Sequence, residues 1–214
     1  LITIRFVTKE PLRIPYLAKK LLGIDKIDHL IQRHPEYDAE QMTIFLLNHF
    51  RITYHQVNKN AHIPKTGRMI VVANHPMGLI DPFAVAHLIY QYRKDVCILG
   101  TKLLRYIPQF NDRLVVTDNF SQRISKEEYK RLVEIFESDK CIIIFPAGEV
   151  SRLTITGIKD GKWSSGFMKL AQRYNVPILP LYVQARNSWR FYLTSLFYRS
   201  LATFKLPREV FRAY

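Results

Sequence analysis

The stretch Met69-Ile70-Val71-Val72-Ala73-Asn74-His75-Pro76-Met77-Gly78-Leu79-Ile80-Asp81-Pro82 holds the decisive change of pattern in this chain. Its first five residues are an apolar, largely β-branched run bounded by Gly67 and Asn74, as expected of a buried strand. Asp81-Pro82 then reads as a helix start, with Asp capping free N–H groups and Pro preset for the first turn. Residues 83–92 continue at helical spacing. A buried strand, a polar loop and a helix in succession open an α/β unit.

The same alternation continues downstream. Residues 96–99 and 114–117 read as strands, and 127–138 as an amphipathic helix with Ser125 at its cap and Glu128 three residues on. Residues 141–145 read as a strand, 164–174 as a helix and 176–183 as a strand. The pattern predicts an α/β fold with a mostly parallel sheet flanked by helices, where active sites gather at the carboxyl ends of strands. Upstream, residues 11–60 read as helices and connections, with helical spacing in Leu17, Leu21 and Leu22 and again in Ile44, Phe45, Leu46 and Leu47. The expected organisation is one domain of 214 residues. It comprises an N-terminal helical segment at 1–64, an α/β core at 65–190 and a basic, aromatic, membrane-facing tail at 191–214.

Composition narrows the partners. Hydrophobic residues make up 48% and charged residues 23%, the balance of a globular chain rather than a disordered one. A formal net charge of +14 favours polyanions such as anionic lipid headgroups, phosphorylated substrates or nucleic acid. No recognisable nucleic-acid module accompanies it, so nucleic acid is not an expected partner. No apolar run approaches the ~18–20 residues of a membrane span, so a membrane partner would be met at its surface. Cys97 and Cys141 each sit within an apolar run and read as reduced core thiols. No His/Cys spacing suits zinc, so no metal is expected.

Two strand-end loops carry the chemistry. In residues 74–81, His75 and Asp81 are the residue types needed to activate a hydroxyl: neutral imidazole takes the proton, and the carboxylate orients the ring and steadies the imidazolium. Asn74 and Gly78 flank them, the glycine giving room for the loop to close or admit a ligand. A capping Asp81 beside a structural His75 is the plain alternative. In residues 146–152, Gly148, Glu149 and Arg152 follow a strand directly; Arg suits planar phosphate or carboxylate groups. A turn closed by a surface ion pair is the plain alternative there.

Together the loops resemble the glycerolipid acyltransferase superfamily, the PlsC-like or 1-acylglycerol-3-phosphate acyltransferase type. Its Asn-His-…-Asp strand end, its Phe-Pro-x-Gly block and its Val-Pro-x-x-Pro block appear here in order, the last as Val176-Pro177-Ile178-Leu179-Pro180. Five residues separate His75 from Asp81, one more than the common form, and Phe145–Arg152 reads Phe-Pro-Ala-Gly-Glu-Val-Ser-Arg. With Arg186-Asn187-Ser188, these departures look like the bacterial hemolysin-like branch, which acylates lyso-aminolipids of the ornithine or glycine type.

The resemblance implies that His75 is the base and Asp81 its partner. Gly148 and Glu149 would belong to the acceptor block, with Arg152 one position displaced from that block's arginine, and Asn74 and Gly78 would border the substrate. Arg113 is the candidate for a further substrate-binding arginine. The resemblance also implies an acyl carrier protein or coenzyme A thioester as donor, a lyso-lipid as acceptor, no cofactor, and a place at the cytoplasmic face of the bacterial inner membrane.

Arg186, Trp189, Arg190, Phe191, Tyr192, Phe197, Tyr198, Arg199, Phe204, Lys205 and Arg208 interleave cations with large apolar groups. Such a mixture suits an anionic lipid interface, as does the stretch at 13–22. A thioesterase-like hydrolase using the same base on water, and a non-catalytic basic lipid-binding protein, are the competing expectations.

Overall fold

The computed structural model describes residues 1–8, 31–58, 62–100, 104, 107–116 and 126–197. In chain order the strands are β1 (Ile2–Thr8), β2 (Ile52–Gln56), β3 (Met69–Ala73), β4 (Val96–Gly100), β5 (Leu114–Val116), β6 (Cys141–Ile144), β7 (Arg152–Thr154), β8 (Gly157–Lys159) and β9 (Ile178–Gln184). The helices are α1 (Ala39–His49), α2 (Ile80–Tyr90), α3 (Lys126–Glu137), α4 (Gly166–Tyr174) and α5 (Trp189–Phe197).

Seven strands join one sheet in the order β2-β1-β9-β3-β6-β4-β5; β1 pairs antiparallel with the edge strand β2 and every other pairing is parallel. All five residues of β3 are buried, and their side chains divide between two layers. Met69, Val71 and Ala73 pack with α1 and α2, whereas Ile70 and Val72 pack with α3 and α4. A continuous apolar run is what a strand covered on both faces requires, because alternate side chains enter different cores. Helix α2, buried almost all round, fills the centre of one layer. Helix α3 buries only Leu132, Ile135 and Phe136 against the other and leaves its polar face in water. Helix α1 begins with a capping box in which Asp38 accepts from the Gln41 N–H and Gln41 reaches back to the Asp38 N–H.

The structure corrects the sequence reading in three places. Residues 2–8 and 52–56 are strands of the main sheet, so the part before residue 65 is not a helical segment standing ahead of the core. The cause lies in β1 itself, where buried Ile2 and Ile4 alternate with Thr3 and exposed Arg5, the period of a strand. Helix α2 starts at Ile80 with Leu79 as its cap, so Asp81 lies inside the first turn rather than before it. Arg152 opens the β7–β8 hairpin instead of ending a loop. Residues 13–22, Ser125 and the tail from 198 to 214 lie outside the described residues.

Candidate active site

Three loops leave the carboxyl ends of the adjacent strands β9, β3 and β6, so the motif-bearing segments, far apart in sequence, become neighbours. Asn74 ties the first to its neighbour: its Nδ2 donates to the Val183 carbonyl at 2.9 Å, and its Oδ1 accepts from the Val183 N–H at 2.7 Å. The amide thus prolongs the β3–β9 pairing by one rung. Both polar atoms of the Asn74 side chain are thus engaged with the neighbouring strand.

The loop then turns at Gly78, whose φ of +84° is costly for any residue with a Cβ. This turn aims the Met77 and Gly78 N–H groups at Asp81 Oδ2, at 2.8 and 2.9 Å. His75 Nδ1 approaches the same oxygen to 2.9 Å. The two groups make a close polar pair at that distance. Asp81 has no exposed surface. Burial pushes its carboxyl above the usual carboxylate range, opposed first by His75 and then by the two backbone N–H groups. The His75 ring retains 18% exposure and leans on Phe145, with centroids 4.6 Å apart.

A second set of contacts holds the His75 backbone. Its N–H donates to both oxygens of Asp160 at 3.2 Å, and its carbonyl accepts from the Ser151 N–H at 2.8 Å. The Ser151 hydroxyl and the Trp163 indole N–H also donate to Asp160. The sequence reading did not single out Ser151, Asp160 or Trp163. Ser151 and Asp160 flank a short hairpin that the sequence reading does not predict, and Trp163 follows three residues on.

The acceptor-block residues gather beside this clamp. Gly148 sits at φ +66° and its N–H donates to the Phe145 carbonyl, turning the chain back toward the sheet. Glu149 Oε2 lies 3.8 Å from Arg152 Nε, and the buried Arg152 guanidinium stands 5.1 Å from the Phe191 ring centre, a cation–π contact with α5. Asn187, buried beyond β9, donates from Nδ2 to the Pro76 carbonyl at 3.0 Å, and its N–H donates to the Tyr192 hydroxyl. Asn187 therefore links the segment after β9 to the His75 loop.

Arg113 does not join this cluster. It precedes β5, and its carbonyl accepts from the Ile98 N–H near the amino ends of the strands, while its guanidinium donates to the Lys94 carbonyl. The parallel sheet puts that edge opposite the His75 loop. Among the other described histidines, His34 stacks on Tyr37 and His87 bonds to the Tyr54 hydroxyl at 2.7 Å, in a cleft of about 370 Å³ between α1, β2 and α2. That cleft shares no lining residue with the His75 loop. Cys97 and Cys141 are buried free thiols, Cys141 pushed up to about 12 by burial. Among the described residues no cluster is arranged to hold a metal ion, and no helix is long and apolar enough to cross a membrane.

Comparison with known proteins adds an independent finding. A family model described as Acyltransferase matches residues 54–184. A lyso-glycine lipid O-acyltransferase of Phocaeicola vulgatus is 29% identical over 133 residues, covering 61% of this chain and 47% of the relative. A lyso-glycine lipid O-acyltransferase of Bacteroides thetaiotaomicron is 30% identical over 132 residues, covering 61% and 48%. The chain spans about half the length of these relatives. No solved structure matches it.

Proposed function

This chain belongs to the acyltransferase family, and from that premise we propose that it moves a fatty acyl group from a thioester to the hydroxyl of a lyso-lipid. The observation that carries the reading is His75 Nδ1 held 2.9 Å from a fully buried Asp81 at the end of a central strand. With Nδ1 turned to Asp81, Nε2 is the nitrogen left for the acceptor. The acceptor hydroxyl gives its proton to Nε2 as its oxygen attacks the thioester carbonyl carbon. The C–S bond then breaks, the proton passes from the imidazolium to the departing sulfur, and an ester and a free thiol remain. General-base help of this kind is worth about 10²–10⁴-fold.

The acceptor class we favour is a lyso-aminolipid of the glycine type, with the ornithine type and lysophosphatidic acid after it. The two bacterial relatives and the Gly148–Arg152 block beside His75 support that order. The donor is an acyl carrier protein or coenzyme A thioester, both acidic and both suited to a chain of net charge +14. The protein acts at the cytoplasmic face of the bacterial inner membrane, where such thioesters are made.

The test is transfer of a radiolabelled acyl group from each thioester to lyso-glycine lipid, lyso-ornithine lipid and lysophosphatidic acid. Labelled aminolipid that disappears in His75→Ala is the expected result. Full activity in His75→Ala, or release of free fatty acid with no acylated lipid, would overturn the reading.

A further inference from the structure

We propose that Asp160 is a positioning residue for His75, the base in the reading above, on which this inference rests. His75 is held from two sides by two different elements. Asp81, on α2, meets the ring, while Asp160 and Ser151, at the two ends of the β7–β8 hairpin, hold the peptide. The hairpin register explains why those two residues meet. It pairs Arg152 with Lys159, so Ser151 and Asp160 are the next rung.

At that rung the ordinary strand pairing stops and a third segment is inserted. The His75 N–H goes to the Asp160 carboxylate, and the Ser151 N–H goes to the His75 carbonyl. The carboxylate is oriented in turn by the Ser151 hydroxyl on Oδ1 and the Trp163 indole N–H, 3.0 Å from Oδ2. The His75 N–H is shared between the two carboxylate oxygens, each at 3.2 Å, so the anchor of this amide comes from both oxygens and from the two groups that orient them. A side chain meant for proton transfer gains most from such anchoring, because a displacement of about 1 Å at the reacting atom costs about 100-fold in rate.

The hairpin is also held to α5, where the buried Arg152 guanidinium stands over the Phe191 ring. Its turn residues Thr154–Gly157 are exposed, and Val150, Leu153 and Ile158 fasten it to Phe191 and Tyr192 of α5. Asp160 and Ser151 thus tie this hairpin directly to the His75 backbone.

The test compares Asp160→Asn, Trp163→Phe and His75→Ala in the acyl-transfer assay and by amide NMR. Asp160→Asn keeps the shape and removes the charge. It is expected to lower kcat about 10- to 100-fold with KM within about twofold, and to move the His75 amide proton upfield with faster solvent exchange. Trp163→Phe keeps a ring and removes one donor, and is expected to lower kcat severalfold; it carries the test should Asp160→Asn not fold. Unchanged kcat in Asp160→Asn or in a folded Trp163→Phe, beside an inactive His75→Ala, would overturn the positioning role and leave the base standing. A rise in KM alone would make Asp160 a substrate contact and also overturn it. Full activity in His75→Ala would instead remove the reading on which the inference rests.

Discussion

At the scale of single residues, Asp81 is where stability and catalysis pull apart. Burial raises its carboxyl above the usual range, so the ionised form is held at a cost to the fold. The sign follows from linkage: stability tied to this group is fully present below its unfolded pKa and is lost as pH rises through the higher folded pKa. The proposed chemistry needs the opposite form, since only the carboxylate steadies an imidazolium. Asp81→Asn is therefore expected to lower kcat by about 10²–10⁴ while its melting temperature, relative to the parent, improves as pH rises above the ordinary carboxylate range. A parallel set of melts and rates over that rise in pH checks it. His75 and Asp81 were legible in the sequence as residue types with suitable spacing. What was not legible was the direction of the Asp81 side chain, which turns back to Met77 and Gly78 because a glycine at φ +84° reverses the loop.

At the scale of elements, the site depends on joints between neighbouring strand ends. Asn74 is one such joint, and Asn74→Ala would leave the buried N–H and carbonyl of Val183 without their partners. Chemical denaturation is expected to show a loss of about 1–3 kcal/mol, with transfer activity falling as the His75 loop loosens. Gly78→Ala tests the turn: a Cβ at positive φ is expected to cost about 1–2 kcal/mol, read from the same denaturation curves. Apart from the β7–β8 hairpin, the strands and helices from 69 to 183 were legible because each is a continuous apolar run or carries a helical apolar spacing. Strands β1 and β2 were missed although β1 alternates cleanly, because the helical spacing nearby dominated the reading of the first 64 residues. The hairpin was missed because it has three residues per strand and little buried surface, which leaves no period to detect.

At the scale of the molecule, net charge and exposed apolar surface point the same way. Helix α5 shows Trp189, Leu193, Leu196 and Phe197 to solvent, with Arg190 beside them, and its inner residues Phe191 and Tyr192 pack next to the candidate site. A face of that composition beside the candidate site suits the headgroup region of an anionic bilayer. Vesicles containing anionic lipid are expected to bind the protein, with binding weakening as salt rises from 0.05 to 0.5 M because the Debye length contracts from roughly 14 to 4 Å. The double variant Leu193→Asp/Phe197→Asp is expected to weaken sedimentation with vesicles while leaving the melting temperature unchanged, since both side chains are more than half exposed.

The sequence by itself determined the α/β alternation, the order of the motifs and the two residues most suited to proton transfer. Those are local matters: runs of β-branched residues must be buried, helical stripes must find a sheet, and imidazole with carboxylate has few equivalents. Only the tertiary structure decided which of the named residues stand together and which are tied into the scaffold. It sent Asn74 to Val183, carried Arg113 to the far edge of the sheet and brought Asp160 to His75 across 85 positions of chain. The physical reason is that periodicity reports which face of an element is buried. The neighbours an element meets are set by strand order, and that order is a property of the whole packed sheet.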